Sequence, residues 1–214
     1  MRPLQLLRAA ALVAVPFTLT ACGSPGESST PPADSAAVSL DSAAIEPVPE
    51  PIAASPRERA PAQIRGIYLN AYAAGSRARL PRLIAIADST EINAFVIDVK
   101  TEKGIHYTSE IPLASELQLE GENMLRDMSR LVDTLKAHDI YSIARIVVFK
   151  DPILSKAHPD WSVQTPEGEL WMDKAGNTWV SPWDERVWDY NISIAEEAAR
   201  AGFDEIQFDY VRFD

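Results

Sequence analysis

Four short apolar runs, separated by stretches with helical spacing, leave this chain few folds to choose from. Arg65-Gly66-Ile67-Tyr68-Leu69-Asn70 reads as a strand followed by a small-residue loop. Leu80 to Thr90 then places Leu83, Ile84, Ile86 and Ala87 at helical spacing. Asn93 to Lys100 is a nearly continuous apolar run, the pattern of a strand buried on both faces of a parallel sheet. After a polar loop through about Gly121, Met124 to His138 carries Met128, Leu131, Val132 and Leu135 on one stripe. Ile140 to Phe149 is a third strand. Pro182, Asp184 and Glu185 open a third helix that runs to Ala201. Gly202 closes it, and Phe203 to Phe208 is the fourth strand. This βαβ series predicts an α/β fold with a parallel sheet and right-handed crossovers. The first strand is followed by no glycine-rich phosphate loop, which disfavours a nucleotide-binding doubly wound fold. The expected fold is the N-terminal half of a (β/α)8 TIM barrel, with four parallel strands and outer helices, truncated after strand four. A full barrel takes about 250 residues, and about 150 follow residue 62 here.

The first 62 residues have a different composition. Arg2 and Arg8 precede an apolar stretch from Ala9 to Leu19, and Leu19-Thr20-Ala21-Cys22 follows. A basic start, a short apolar core and a small-residue cleavage site make a secretory signal. The sequence around Cys22, the only cysteine, resembles a bacterial lipobox, which implies cleavage after residue 21 and lipidation of Cys22. The apolar stretch is shorter than the roughly 20 residues a spanning helix needs. Gly23 in place of aspartate permits sorting to the outer membrane, by resemblance to Gram-negative lipoproteins. Residues 22–62 are rich in Ser, Ala, Pro and Glu and read as a disordered tether. The expected organisation is a signal peptide over 1–21, a tether over 22–62 and a partial barrel over 63–214. A net charge of -11 argues against nucleic acid as partner.

The motifs narrow the reading. Ala144-Arg145-Ile146-Val147-Val148-Phe149-Lys150-Asp151-Pro152, Val187-Trp188-Asp189-Tyr190-Asn191, and Gly202 through Phe213 resemble the glycoside hydrolase domain family DUF4015. Gly66-Ile67-Tyr68 and Ile97-Asp98-Val99-Lys100 match its earlier strands, and the run ending in FDYVRF is the most specific part. The resemblance spans Ile64 to Asp214 and implies a TIM barrel similar to amylase-like glycosidases. It further implies hydrolysis of a glycosidic bond in a polysaccharide, with the cell envelope as the expected setting.

Most glycosidases need two carboxyl groups flanking one bond. Asp209 ends the fourth strand, where barrels place catalytic groups. By resemblance to the fourth-strand aspartate of amylase-like barrels it is the candidate nucleophile. The arginine expected two residues earlier is replaced by Gln207, and Arg212 is a possible substitute. Alternation puts Val96 and Asp98 on one face of the second strand. If that face points inward, Asp98 binds a substrate hydroxyl or supports Asp209; the alternative is a pair with Lys100 or Arg145. The acid/base partner is expected on a later strand. Lys150 and Asp151 either bind substrate hydroxyls or form an ion pair at a loop hinge. Trp161, Trp171 and Trp179 lie in the long segment after the third strand, where flat aromatic faces can stack on sugars or form a local core. Trp188 is expected in the core, and Glu196 and Glu197 on a solvent face. His106, His138 and His158 are isolated, so neither a zinc site nor a cofactor is expected. A non-catalytic glycan-binding surface lipoprotein is the competing reading. A metal-dependent lyase or aldolase barrel would use Asp98 and Asp209 as ligands, but the sequence shows no third clustered ligand.

Overall fold

β2, Ala94–Thr101, lies at the centre of the sheet because its sequence offers no face to water. All but one of its residues are buried. The computed structural model describes residues 60–212; the signal sequence, Cys22 and most of the tether lie outside them. β1 is Gly66–Leu69, and it pairs with β2 in parallel. β4, Tyr141–Val147, pairs with β2 on its other side, and β5, Glu205–Asp209, pairs with β4. All three pairings are parallel, so the four long strands follow chain order. A two-residue strand, β3 (Gly104–Ile105), folds back on the end of β2 as a small antiparallel addition.

The crossovers carry α1 (Ala71–Ala74) and α2 (Leu80–Asp88), then α3 (Pro112–Glu116) and α4 (Met128–Lys136), then α5 (Pro152–Ala157) and α6 (Glu185–Arg200). Asp127, Asp151 and Asp184 cap α4, α5 and α6, each accepting a hydrogen bond from a first-turn amide. α1, α3 and α5 are too short to give a readable period. Gly202 follows α6 at φ +98°, the left-handed stop expected of it.

Alternation along the strands separates two surfaces. Phe95, Ile97 and Val99 of β2 join Ala144 and Ile146 of β4 in the main core, with Ile84 of α2, Leu131, Val132 and Leu135 of α4, and Ile194 and Ala198 of α6. The opposite surface keeps only a small apolar group, Ala94, Tyr141 and Ile143 with Ala60 and Val96. A sheet whose principal core lies against one layer of helices is built as a barrel wall, not as a doubly wound sheet.

A bulge interrupts β2. Asp98 pairs with Arg145, but Lys100 pairs with Ile146, so Val99 is the extra residue. Lys100 is thereby turned into the helix side, where it is fully buried. Its ammonium lies 2.8 Å from Asp151 Oδ2, donates to the carbonyl of Val147 at 2.7 Å and sits over the Tyr190 ring of α6. Desolvation pushes the Tyr190 hydroxyl pKa well up, with the nearby Asp151 carboxylate adding to it.

Two expectations need correction here. Glu197 does not face solvent. It is 9% exposed and accepts from Tyr107 Oη at 2.5 Å, Ser109 Oγ at 2.6 Å and the Glu110 amide at 2.8 Å. One carboxylate thus fastens the loop after β3 to α6, and burial together with this bond raises the Tyr107 pKa strongly. Glu197→Ala is expected to cost about 2–3 kcal/mol, because it strands Tyr107 and the Glu110 amide without partners; urea denaturation measures it. Trp188, conversely, is not core. It is 42% exposed on α6, with Nε1 donating to the Pro182 carbonyl at 2.8 Å.

Candidate active site

One row of polar side chains crosses the wall on the face without helices. Arg145 stands opposite Asp98 in the β2–β4 register, and Tyr68 and Asp209 are diagonal neighbours on the outer two strands. The Arg145 Nη1 donates to Asp98 Oδ1 at 2.6 Å. Its Nε and Nη2 both reach Asp209 Oδ2, at 2.8 and 2.6 Å. The Tyr68 hydroxyl donates to Asp98 Oδ2. All four long strands therefore contribute one member to a single hydrogen-bonded chain near their C-terminal ends.

Burial divides the roles. The Asp98 side chain is 4% exposed and holds a bond on each oxygen, so it has little left for a substrate hydroxyl. Asp209 is 41% exposed and leaves Oδ1 with only the amide of Tyr210, at 2.7 Å. The pair with Arg145, the alternative reading of Asp98, is present, and the shared guanidinium links Asp98 to Asp209. Partial burial of Asp209 acts to raise its pKa, but the Arg145 hydrogen bonds and the Tyr210 amide outweigh that and hold the carboxyl below its usual range. Arg145 is affected in the complementary sense: burial disfavours its charge, and the two carboxylates more than restore it. Burial, and then the bond to Asp98, push the Tyr68 hydroxyl up to about 12.

The sign of the pH effect follows. A carboxyl with a depressed folded pKa stabilises the fold fully above the unfolded value, about 3.9. That contribution is lost as pH falls through the lower folded value. Asp209 is therefore expected to stay ionised below pH 3.9, which carbon NMR of its carboxyl measures by titration; an inflection above the ordinary aspartate value would contradict the geometry.

Tyr210 is held at φ +55°, a left-handed conformation that costs a side-chain-bearing residue about 1–2 kcal/mol. Such strain gathers at functional sites. Its ring collects three of the predicted site residues. Trp179 is tilted against it at 6.0 Å between centroids, the Lys150 ammonium lies 5.2 Å from its centre, and the Arg212 guanidinium lies 5.3 Å away. Arg212 also covers Trp179 at 5.8 Å. Arg212 thus takes a place beside Tyr210, while the guanidinium on Asp209 comes from Arg145. The charge expected two residues before the aspartate is supplied by the neighbouring strand.

Other predicted residues are placed elsewhere. Asp151 is 1% exposed, with its oxygens committed to the Leu154 amide and to Lys100, so it serves the fold and not a substrate. Trp179 is 2% exposed, and its Nε1 donates to Asp173 Oδ2 at 3.2 Å. Asp173 organises a turn, accepting from the Asn177 and Ala175 amides at 2.8 and 2.9 Å, and its pKa falls to about 2, chiefly through the Asn177 bond. Antiparallel bridges Ser162–Val180, Gln164–Leu170 and Met172–Thr178 complete this folded segment. Trp171 packs against the main core, as does Trp161, which stacks on His158 at 4.1 Å under the Arg186 guanidinium. The three tryptophans therefore build the segment after β4, and Trp179 alone meets the ring beside Asp209. Among the described residues, no group of three or more His, Cys, Asp or Glu side chains is placed to hold a metal ion.

Arg145 and Tyr68 were missed as site residues. The alternation that turns Asp98 inward on β2 turns Arg145 inward on β4 and Tyr68 on β1, so the signal was present in the strand pattern.

Residues 66–214 match the family described as "Putative glycosyl hydrolase domain", DUF4015. The chain belongs to this family. A solved structure of a hypothetical protein from Ruminiclostridium thermocellum is 39% identical, with a TM-score of 0.65 over 69% of this chain and 77% of that one. More distant barrels share the fold. The chitobiase of Flavobacterium johnsoniae has a TM-score of 0.50 at 16% identity, over 68% of this chain and 23% of its own. The Thermus thermophilus α-galactosidase in complex with stachyose has a TM-score of 0.50 at 13% identity, over 70% and 33%. The chain thus spans a third or less of these two enzymes. No curated protein matches it. The DUF4015 domain described here is glycoside hydrolase-like in family and barrel-like in fold, and the polar row lies where such walls carry their chemistry.

Proposed function

We propose that this DUF4015 domain hydrolyses a glycosidic bond of a polysaccharide, with Asp209 as nucleophile. The observation that carries the reading is the Arg145–Asp209 pair: a carboxylate at a strand end, kept ionised by a partly buried guanidinium and still 41% open. An ionised, fixed carboxylate is what attack on an anomeric carbon requires. The bond to the leaving oxygen breaks as Asp209 forms the glycosyl ester, and a second carboxyl protonates that oxygen; water then displaces Asp209 from the anomeric carbon, giving its proton back to that second carboxyl. Asp98 does not fill that second role, since both its oxygens are bonded. Arg145 orients Asp209, and Asp98 with Tyr68 orients Arg145.

The test is covalent trapping. The full-length protein is incubated with a panel of 2-fluoro glycosyl fluorides and digested, and the peptides are mapped by mass. Labelling of Asp209 is the expected result. Turnover of 4-nitrophenyl glycosides with the label on another carboxylate would remove Asp209 as nucleophile, and saccharide binding with neither turnover nor label would favour a non-catalytic glycan-binding protein.

The same proposal places the protein at the bacterial cell envelope, held by lipid on Cys22. The lipobox-like Leu19-Thr20-Ala21-Cys22 supports it, and among the described residues no helix is long and apolar enough to cross a membrane. Acyl chains hold a protein at the surface without a span. Cys22→Ser is expected to move the protein from the membrane fraction to the soluble fraction on ultracentrifugation, with loss of the acyl mass; unchanged retention would exclude the anchor.

A further inference from the structure

A pocket of about 470 Å³ lies between the start of α2 and the start of α4, outside the polar row. Arg77, Arg126 and Arg130 line it, with Asp127 as the one carboxylate. Arg65, Arg145, Arg186 and Arg200 each have a carboxylate partner. The side chains of the three pocket arginines have none among the described residues. Asp127 is already engaged, with Oδ1 accepting from the Arg130 amide at 3.0 Å. In a chain of net charge -11, three unpaired guanidinium groups around one concavity form a local site of the opposite sign.

The floor of the pocket is built closely. A Cβ on Gly75 would lie 2.0 Å from the Met124 carbonyl oxygen, so the chain after α1 is pressed against the backbone leading into Leu125. Arg126 is held at φ +58° between the Leu125 amide, which donates to the His106 carbonyl at 2.8 Å, and its own carbonyl, which accepts from Thr108. Both bordering helices begin after the chain has left the C-terminal ends of β1 and β2. The pocket therefore opens at the same end of the wall as Asp98 and Asp209, and the positive ends of two helices add to the arginines.

We propose that this pocket binds the carboxylate or phosphate group of an acidic saccharide. Arginine forks match the planar or trigonal oxygens of both groups. The inference rests on the reading of the domain as glycan-acting and names the class of glycan: one carrying negative charge.

The experiment is calorimetric titration of the full chain carrying Asp209→Asn, so that nothing is hydrolysed. The probes are tetragalacturonate, glucose 6-phosphate, inorganic phosphate and neutral maltotetraose, at low ionic strength. At least one acidic saccharide is expected to bind, and to bind more weakly as salt is added. In Arg77→Gln/Arg126→Asn/Arg130→Gln its affinity should drop at least about tenfold, with the melting temperature unchanged; asparagine is chosen at 126 because it tolerates the left-handed backbone. Undiminished binding by the triple variant would overturn the proposal. So would binding of neither acidic saccharide, binding of inorganic phosphate alone, or equal binding of maltotetraose. The two readings fail separately. Asp209 labelled by a fluoroglycoside while acidic saccharides ignore the arginines sinks only this inference. Arginine-dependent binding by a chain that never hydrolyses sinks only the catalytic one.

Discussion

Asp209→Asn in the full-length protein is expected to lower kcat by at least about 1,000-fold while leaving the melting temperature within a few degrees of wild type. Asparagine keeps the shape of the side chain and removes the nucleophile, and loss of a nucleophile is among the largest effects a single substitution has on turnover. The fold tolerates the change because Asp209 is partly exposed and Arg145 keeps its bond to Asp98 at 2.6 Å. Turnover of the best 4-nitrophenyl glycoside, followed alongside thermal denaturation, separates the two outcomes. Activity within a few-fold of wild type would leave Asp209 as a binding or structural residue. Azide is expected to rescue a smaller nucleophile-site variant, Asp209→Gly, by attacking the anomeric carbon in place of the carboxylate. Such rescue would distinguish a lost nucleophile from a misplaced arginine.

Lys100→Met is expected to have the largest effect on stability, about 3–5 kcal/mol, or roughly 10 °C in Tm for a domain of this size. The substitution leaves the Asp151 carboxylate, 1% exposed, with an amide bond but no countercharge. The double variant Lys100→Met/Asp151→Asn should recover most of the loss, because it removes both buried charges and retains the acceptor that caps α5. Differential scanning calorimetry of the two variants decides it. A double variant as unstable as the single one would show that the ammonium's bond to the Val147 carbonyl, not the ion pair, holds this end of β2.

The four long strands and the three long helices were readable in the sequence because their patterns are long enough to show a period; the two-residue β3 was not. β2 has eight residues in a nearly unbroken apolar run, and α6 has sixteen with a clear apolar face. The four- to six-residue helices α1, α3 and α5 were not, since one turn has no period to detect. Asp209 and Asp98, both in the polar row, stood out because a carboxylate at a strand end is conspicuous in one dimension. Arg145 was harder: its meaning comes from standing in register with Asp98, a relation across 47 residues of chain. Glu197 misled, and Asp151 was left between two readings, for a common reason. A charged residue beside a loop or on a helix reads as exposed until its partner is known, and their partners, Lys100 and Tyr107, lie far off in sequence. The tryptophans were ambiguous by composition alone. Only the bridges from Ser162 to Val180 show that the segment has its own interior to fill.

The extra residue at Val99 has a consequence for the sign of the field inside the wall. With regular pairing, Lys100 would follow Asp98 on the inward face, one step beyond Arg145. The inward row would then balance two cations against two carboxylates. Because the bulge sends Lys100 to the helix side, the row keeps two carboxylates against one guanidinium, an excess of one negative charge. Cleavage of a glycosidic bond builds positive charge on the sugar ring in its transition state, and fixed negative charge in a site sheltered from water favours that state over the neutral substrate. Were Val99 paired with Ile146 and Lys100 with Val147, every member of the row would still be in the chain, yet the cavity they face would be neutralised.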